Sequence, residues 1–157
     1  MANQQVLDIK EINQLLILKH GDFIRYVSEL DENAFNFSYE NKWTAGQQLD
    51  HIYRSVSTLN WVMRMPNWFL RWYFPKANRP SRSYDELVVR YHQKLEKGGK
   101  AKGRFVPQLV PFYRRQTLTN KLQKSVQKLT RLFSSFSEKE SPAERRAGGR
   151  PLFFGRR

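Results

Sequence analysis

The sequence predicts an all-α protein, an antiparallel four-helix bundle followed by an irregular basic C-terminal tail. Three observations carry that expectation. Apolar residues recur three and four positions apart in four separate stretches, the period of one helix face. Two of those stretches open on a hydroxyl residue followed three positions later by Gln or Glu, the spacing of a capping box. No stretch carries the two-residue alternation of a half-buried strand.

The first stripe runs through residues 8–30, with Ile9, Ile12, Leu16, Phe23, Val27 and Leu30 on one face. Gly21 interrupts it and weakens the helix by about 1 kcal/mol relative to Ala. The polar stretch DENAFNFSYENK, residues 31–42, reads as a connection whose Phe35 and Phe37 tuck against the core. Thr44 and Gln47 then cap a second helix, which carries Leu49, Ile52, Val56, Leu59 and Met63 inward until Pro66 ends it.

NWFLRWYFPKANRPSR, residues 67–82, crowds Trp68, Phe69, Trp72, Tyr73 and Phe74 around Arg71. Such a cluster is either a helical turn packed over the mouth of the bundle or an aromatic, basic surface for nucleobases or lipid headgroups. Packing is the expected role, because large aromatic side chains are mostly withdrawn from water. Ser83 and Glu86 have capping-box spacing ahead of a third helix with Leu87, Val88, Tyr91 and Leu95. Its exit, KGGKAKGR at 97–104, lacks the spacing and the following Ser/Thr of a phosphate-binding loop and reads as a glycine-capped helix end. A fourth helix spans about 114–136, with Leu118, Leu122, Val126, Leu129 and Phe133 on its apolar face. Lys121, Lys124, Lys128 and Arg131 repeat at the same period on another face. The last twenty residues, EKESPAERRAGGRPLFFGRR, mix Pro, Gly and paired arginines without periodicity, the mark of a disordered or loosely docked tail.

At 157 residues the chain is one domain's worth of protein, expected as a bundle over 1–137 and a tail over 138–157. With 39% hydrophobic and 14% aromatic residues it has the material for a core. The absence of cysteine excludes disulfides and thiolate zinc sites and suits a reducing compartment. The N-terminal stretch MANQQVLDIKEINQ has no signal-like region, and no apolar run approaches the ~20 residues of a membrane span. A soluble, cytoplasmic protein is the expectation. Charge is unevenly distributed: residues 1–60 hold 5 basic and 8 acidic side chains, whereas residues 61–137 hold 17 and 3. The net charge of +14 therefore sits in the later part of the chain, where it can attract nucleic acid or simply solvate a surface.

KWTAGQQLDHIYRSV, residues 42–56, holds one of three histidines in the chain. By helical phase His51 lies on the flank of the apolar face, next to Asp50 and one turn before Ser55. A flank histidine with polar neighbours is commonly a hydrogen-bonded boundary residue. The stretch also resembles the second helix of the DinB-like superfamily, with its tryptophan, hydroxyl cap, small residue and histidine. FPKANRPSRSYDELVVRYHQKLEKGGKAKGRFVPQLV, residues 74–110, looks like the middle region of a metal-dependent bacterial subgroup of those proteins, and the resemblance covers roughly 8–136. It implies a four-helix bundle and a divalent ion, zinc or nickel, held by three histidines. His51 stands at the matching position of the first ligand. The other two come in the family from an HxxxH pair on the last helix, where i and i+4 imidazoles share a face. Three protein ligands leave a position open for a water or a thiol substrate, and members are linked to thiol transfer or hydrolysis.

The sequence departs from that pattern at the last helix. Its histidines are His20, His51 and His92, and no HxxxH occurs. The abrupt change of composition near residue 138 reads as a truncated or frame-shifted family member. His20 and His92 are the remaining candidates to complete a site with His51, though no spacing demands it. No Ser/His/Asp or paired-carboxylate arrangement stands out, so an enzymatic role rests on the resemblance alone. The alternative is a basic nucleic-acid-binding helical module using the surface of 61–137. A homodimer through an uncovered bundle face is a third expectation.

Overall fold

A computed structural model of the protein describes residues 8–40, 42–66, 68–69 and 84–139, without the side chains of Tyr84 and of residues 136–139. Five α-helices are formed there: α1 (Ile9–Glu29), α2 (Glu32–Asn36), α3 (Ala45–Val62), α4 (Tyr84–Glu96) and α5 (Arg115–Lys139). Two short 3-10 turns, Gly103–Phe105 and Phe112–Arg114, lie on the approach to α5. The described residues contain no strand, so the chain is all-α there. No helix among them is long and apolar enough to cross a membrane.

Local chemistry starts the helices where expected. The Thr44 hydroxyl accepts from the Gln47 backbone N–H while the Gln47 side chain accepts from the Thr44 N–H, both at 3.1 Å. Asp8 and Glu11 make a second reciprocal box at α1, at 2.7 Å each way. That box was not anticipated, because Asp serves there in place of Ser or Thr. The Ser83 half of the box expected at α4 lies outside the described residues. Asp31 caps α2, a helix inside what the sequence presents as a connection. At the end of α4, Gly98 takes φ +74°, the left-handed conformation in which glycine closes a helix, as its neighbours KGGK suggest.

Three helices make the core. Val27 of α1, Phe35 of α2, Leu49 and Val56 of α3, and Leu122, Val126 and Leu129 of α5 are buried. Every predicted apolar position of α5 is used, with Leu118 and Phe133 packed at its two ends. In α3 the predicted stripe holds at Leu49, Ile52, Val56 and Met63 but not at Leu59, which is 40% exposed, while Asn60 is 5% exposed and turns inward. Phe35 is fully buried, edge-on to Phe112 with ring centroids 5.7 Å apart, whereas Phe37 is 65% exposed against expectation. Trp68 also departs from the packed role: it is 71% exposed, with its ring edge-to-face on Phe69. Trp72, Tyr73 and Phe74 lie outside the described residues.

Polar clamps set the helix directions. Asn13 Nδ2 of α1 donates to the Thr130 carbonyl and the Ser134 hydroxyl near the end of α5, and Arg115 at its start donates to the Leu30 carbonyl. Thus α1 and α5 are antiparallel. Asn60 Nδ2 donates to the carbonyl (2.8 Å) and hydroxyl (2.9 Å) of Ser125, while Gly46, at the other end of α3, lies against Val110 just before α5. So α3 and α5 run parallel, and residues 63–114 must return the chain over the length of α3, ~27 Å for its 18 residues. Of the α4 side chains described, only Val88 is withdrawn from solvent; Leu87, Val89, Tyr91 and Leu95 are exposed. α5 continues to Lys139, past the end expected near 136, and residues 140–157 of the expected tail lie outside those described.

Two glycines inside helices give a matched test. A Cβ on Gly46 would stand 2.7 Å and 2.9 Å from ring atoms of the buried Phe35, whereas one on Gly21 would meet nothing within 4 Å. Gly21→Ala should therefore stabilise the protein by about 0.5–1 kcal/mol through helix propensity. Gly46→Ala should lose that gain to overpacking that costs about 1–3 kcal/mol. Urea unfolding followed by circular dichroism reads both, and equal effects would show that Phe35 yields freely.

Candidate functional site: the loop seat on α3

The first turns of α3 present Asp50, His51 and Arg54 to the segment 103–108 that leads into α5. Asp50 is 8% exposed, and its Oδ2 accepts two charge-assisted bonds, from Arg54 Nε at 2.6 Å and from the Gln108 backbone N–H at 2.9 Å. The i,i+4 spacing on the helix brings Arg54 over the carboxylate, and its Nη1 reaches on to the Arg104 carbonyl at 3.3 Å. A carboxylate this withdrawn from water needs such donors, because an unpaired buried charge is costly.

His51 is half-buried beside this pair. Its Nδ1 lies 2.8 Å from the Phe105 carbonyl, which can only accept, so the neutral imidazole carries its proton on Nδ1 and leaves Nε2 with the lone pair. Trp43 stacks on the ring, tilted by 49° at a centroid distance of 5.0 Å. Ser55, noted as a polar neighbour in sequence, donates its hydroxyl to the His51 carbonyl at 2.9 Å. The tryptophan and histidine that carry the DinB-like resemblance are therefore in direct contact. A backbone carbonyl on one ring nitrogen is also the support that metal-binding imidazoles commonly have.

The other histidines are engaged elsewhere. His20 turns Nδ1 onto the Leu16 carbonyl of its own helix, at 2.8 Å. His92 is exposed on α4, with its ring edge-on to Tyr91. Among the described residues no group of three His, Cys, Asp or Glu side chains is placed to hold a metal ion. The donor set around His51 thus does not fit the three-histidine centre that the resemblance implies. Asp50, Arg54 and the returning loop do fit a fastening that positions α5.

Sequence reasoning named Asp50 and Ser55 as possible partners of His51, but it missed the loop. Phe105 and Gln108 contribute backbone atoms, and backbone atoms leave no residue-type signal. The available hint was Asp50 with Arg54 at i,i+4, one turn into a capped helix.

The seat makes its own prediction. Asp50→Asn removes the charge from both bonds and should cost about 1.5–3 kcal/mol of stability. The Gln108 amide should exchange with solvent faster than the global loss accounts for, while the Leu122 amide follows the global change alone. A Gln108 amide that stays protected would mean the loop is held by other contacts.

Comparison of the chain with protein-family models, with curated proteins and with solved structures returns no match.

Proposed function

We propose that the chain is a DinB-like helical-bundle protein that works as a basic, nucleic-acid-binding module. One observation carries the binding reading. Lys121, Lys124 and Arg131 are exposed along one side of α5, with Arg114 exposed on the 3-10 turn just before it, and none has an acidic partner among the described residues. The three α5 positions fall within about 80° of helix rotation and extend over ~15 Å of axis, enough to track several phosphates of a nucleic-acid backbone. The ion pairs between described residues are Arg25–Asp22, Lys42–Glu40 and Arg54–Asp50, all before residue 61. An aromatic element accompanies the charge: the Arg104 guanidinium lies 5.9 Å from the ring centre of Trp61, which is 55% exposed. Exposed aromatic faces next to cations accept stacked bases with little regard to sequence.

The DinB-like part of the proposal draws support from the all-α chain and the Trp43–His51 contact. In that reading α1, α3, α4 and α5 are the four bundle helices, and the exposed apolar side chains of α4 are a surface for closer packing or for a second copy. A zinc or nickel ion and a thiol substrate, which the resemblance implies, would find at His51 one imidazole that belongs to no group of three ligating side chains among the described residues. No reaction step is drawn through them.

Titration of labelled random single-stranded DNA and RNA at two salt concentrations tests the binding reading. A dissociation constant in the micromolar range that weakens steeply with salt is expected. Replacing Lys121, Lys124 and Arg131 together by Gln should weaken binding at least tenfold and lower the salt slope by about 2–3. Millimolar binding that ignores salt would remove the proposal. In a parallel calorimetric titration, zinc or nickel should bind no more tightly than to a single surface histidine. Tight stoichiometric binding that His51→Ala abolishes would restore the metalloprotein reading.

A further inference from the structure

Between the C-terminal half of α1, α2 and the start of α3 lies an open cleft of about 770 Å³. Phe23, Tyr26, Phe37 and Trp43 give it aromatic walls, and Asp31, Asn33 and Gln48 are its polar members. Tyr26 and Phe37 are 61% and 65% exposed, so two large rings face water here without covering the core. Exposed aromatic surface grouped in this way is characteristic of a binding site.

The electrostatics around the cleft oppose those of the chain as a whole. Residues 22–40 hold Asp22, Glu29, Asp31, Glu32 and Glu40 against the single cation Arg25, in a protein of net charge +14. Arg25 is paired with Asp22 at 2.8 Å and Lys42 with Glu40 at 3.7 Å, which leaves the acidic excess with Glu29, Asp31 and Glu32. Asp31 uses Oδ1 to cap α2, and its carboxylate charge remains at the cleft edge. A fitting occupant is apolar or aromatic in the middle and cationic at its ends.

Outside the described residues two segments have that pattern, RWYFPK at 71–76 and the more cationic C-terminal one, which carries three arginines. Residues 150–157, RPLFFGRR, set Leu152, Phe153 and Phe154 between Arg150 and the pair Arg156–Arg157. Its tether is long enough. The Asn13–Ser134 bond places the end of α5 beside the start of α1, so Lys139 lies roughly 27 Å from the cleft at 1.5 Å per helical residue. The 13 residues from 140 to 152 span up to about 43 Å when extended. We propose that the cleft is the docking site for the chain's own C-terminal segment, with Leu152–Phe154 against Tyr26, Phe37 and Trp43 and the arginines facing the acidic rim. The tether would hold the segment at high effective concentration, so modest contacts suffice. This inference does not depend on the nucleic-acid reading.

The cysteine-free chain allows a single label. A nitroxide on Gly155→Cys in the full chain should broaden the amide signals of Asn33 and Ala34 and the Trp43 indole signal to less than half of their intensity in the reduced sample. Adding Tyr26→Ser and Phe37→Ser should restore those signals, and as both side chains are mostly exposed the fold should persist by circular dichroism. Broadening confined to Asp8–Asn13, beside the end of α5, would overturn the proposal, as would uniform broadening or none. Mixing isotope-labelled chains that carry no nitroxide with unlabelled chains that do should leave the signals intact. Broadening there would assign the cleft to a second copy and overturn intramolecular docking.

Discussion

The placement of α5 depends on how the chain returns after α3, and the Asp50 carboxylate is the contact that fixes the return. Because α3 and α5 run parallel, the intervening residues must climb back along α3 before α5 can start. Asp50 receives the Gln108 amide and the Arg54 guanidinium, and His51 holds the Phe105 carbonyl. Once 105–108 are seated, Val110 and Phe112 come down on Gly46 and Phe35, and Arg115 reaches the Leu30 carbonyl. α5 then enters between α1 and α3 with its apolar face already aligned. A loop fastened by charge-assisted bonds of about 1.5–3 kcal/mol each offsets much of the ordering cost of its few residues.

The asparagine clamps complete the register that the loop begins. A stripe of leucines and valines can slide by a turn with modest loss, because apolar contact is non-directional. Asn13 and Asn60 remove that freedom, since each places its amide on α5 carbonyl and hydroxyl groups that recur at one position only. Their Oδ1 atoms are buried without a hydrogen-bond partner among the described residues, which offsets part of the stability the clamps add. They act mainly as selectors of one helix alignment.

The arrangement also separates the surfaces of the molecule. α5 buries Leu122, Val126 and Leu129 against its neighbours and turns its lysines and arginines outward. Five acidic residues against one cation lie in residues 22–40, the stretch that supplies much of the aromatic cleft. The strongly basic composition thus becomes two surfaces of opposite sign. A cationic one suits phosphate, and an acidic, aromatic one suits a basic peptide. His51 belongs to neither surface. It is a boundary residue that ties a loop, and the resemblance that singled it out also singled out the ring that stacks on it.

What the sequence alone determined is the four longer helices. Capping at Thr44, the stripes of α1 and α5 and the glycine exit after α4 are local or periodic features, decided by residue type at fixed spacing. The buried face of α5 and the outward direction of Lys121, Lys124 and Arg131 follow from the same periodicity. The tertiary structure decided the rest. It exchanged Leu59 for Asn60 in the core because Ser125 stood opposite to satisfy the amide. It buried Phe35 and left Phe37 out because only one of them faces the gap above Gly46. It also gave His51 a backbone carbonyl 54 positions away. Long-range partners of that kind, and backbone partners above all, carry no periodicity and no residue signature, so they exist only once the chain has closed on itself.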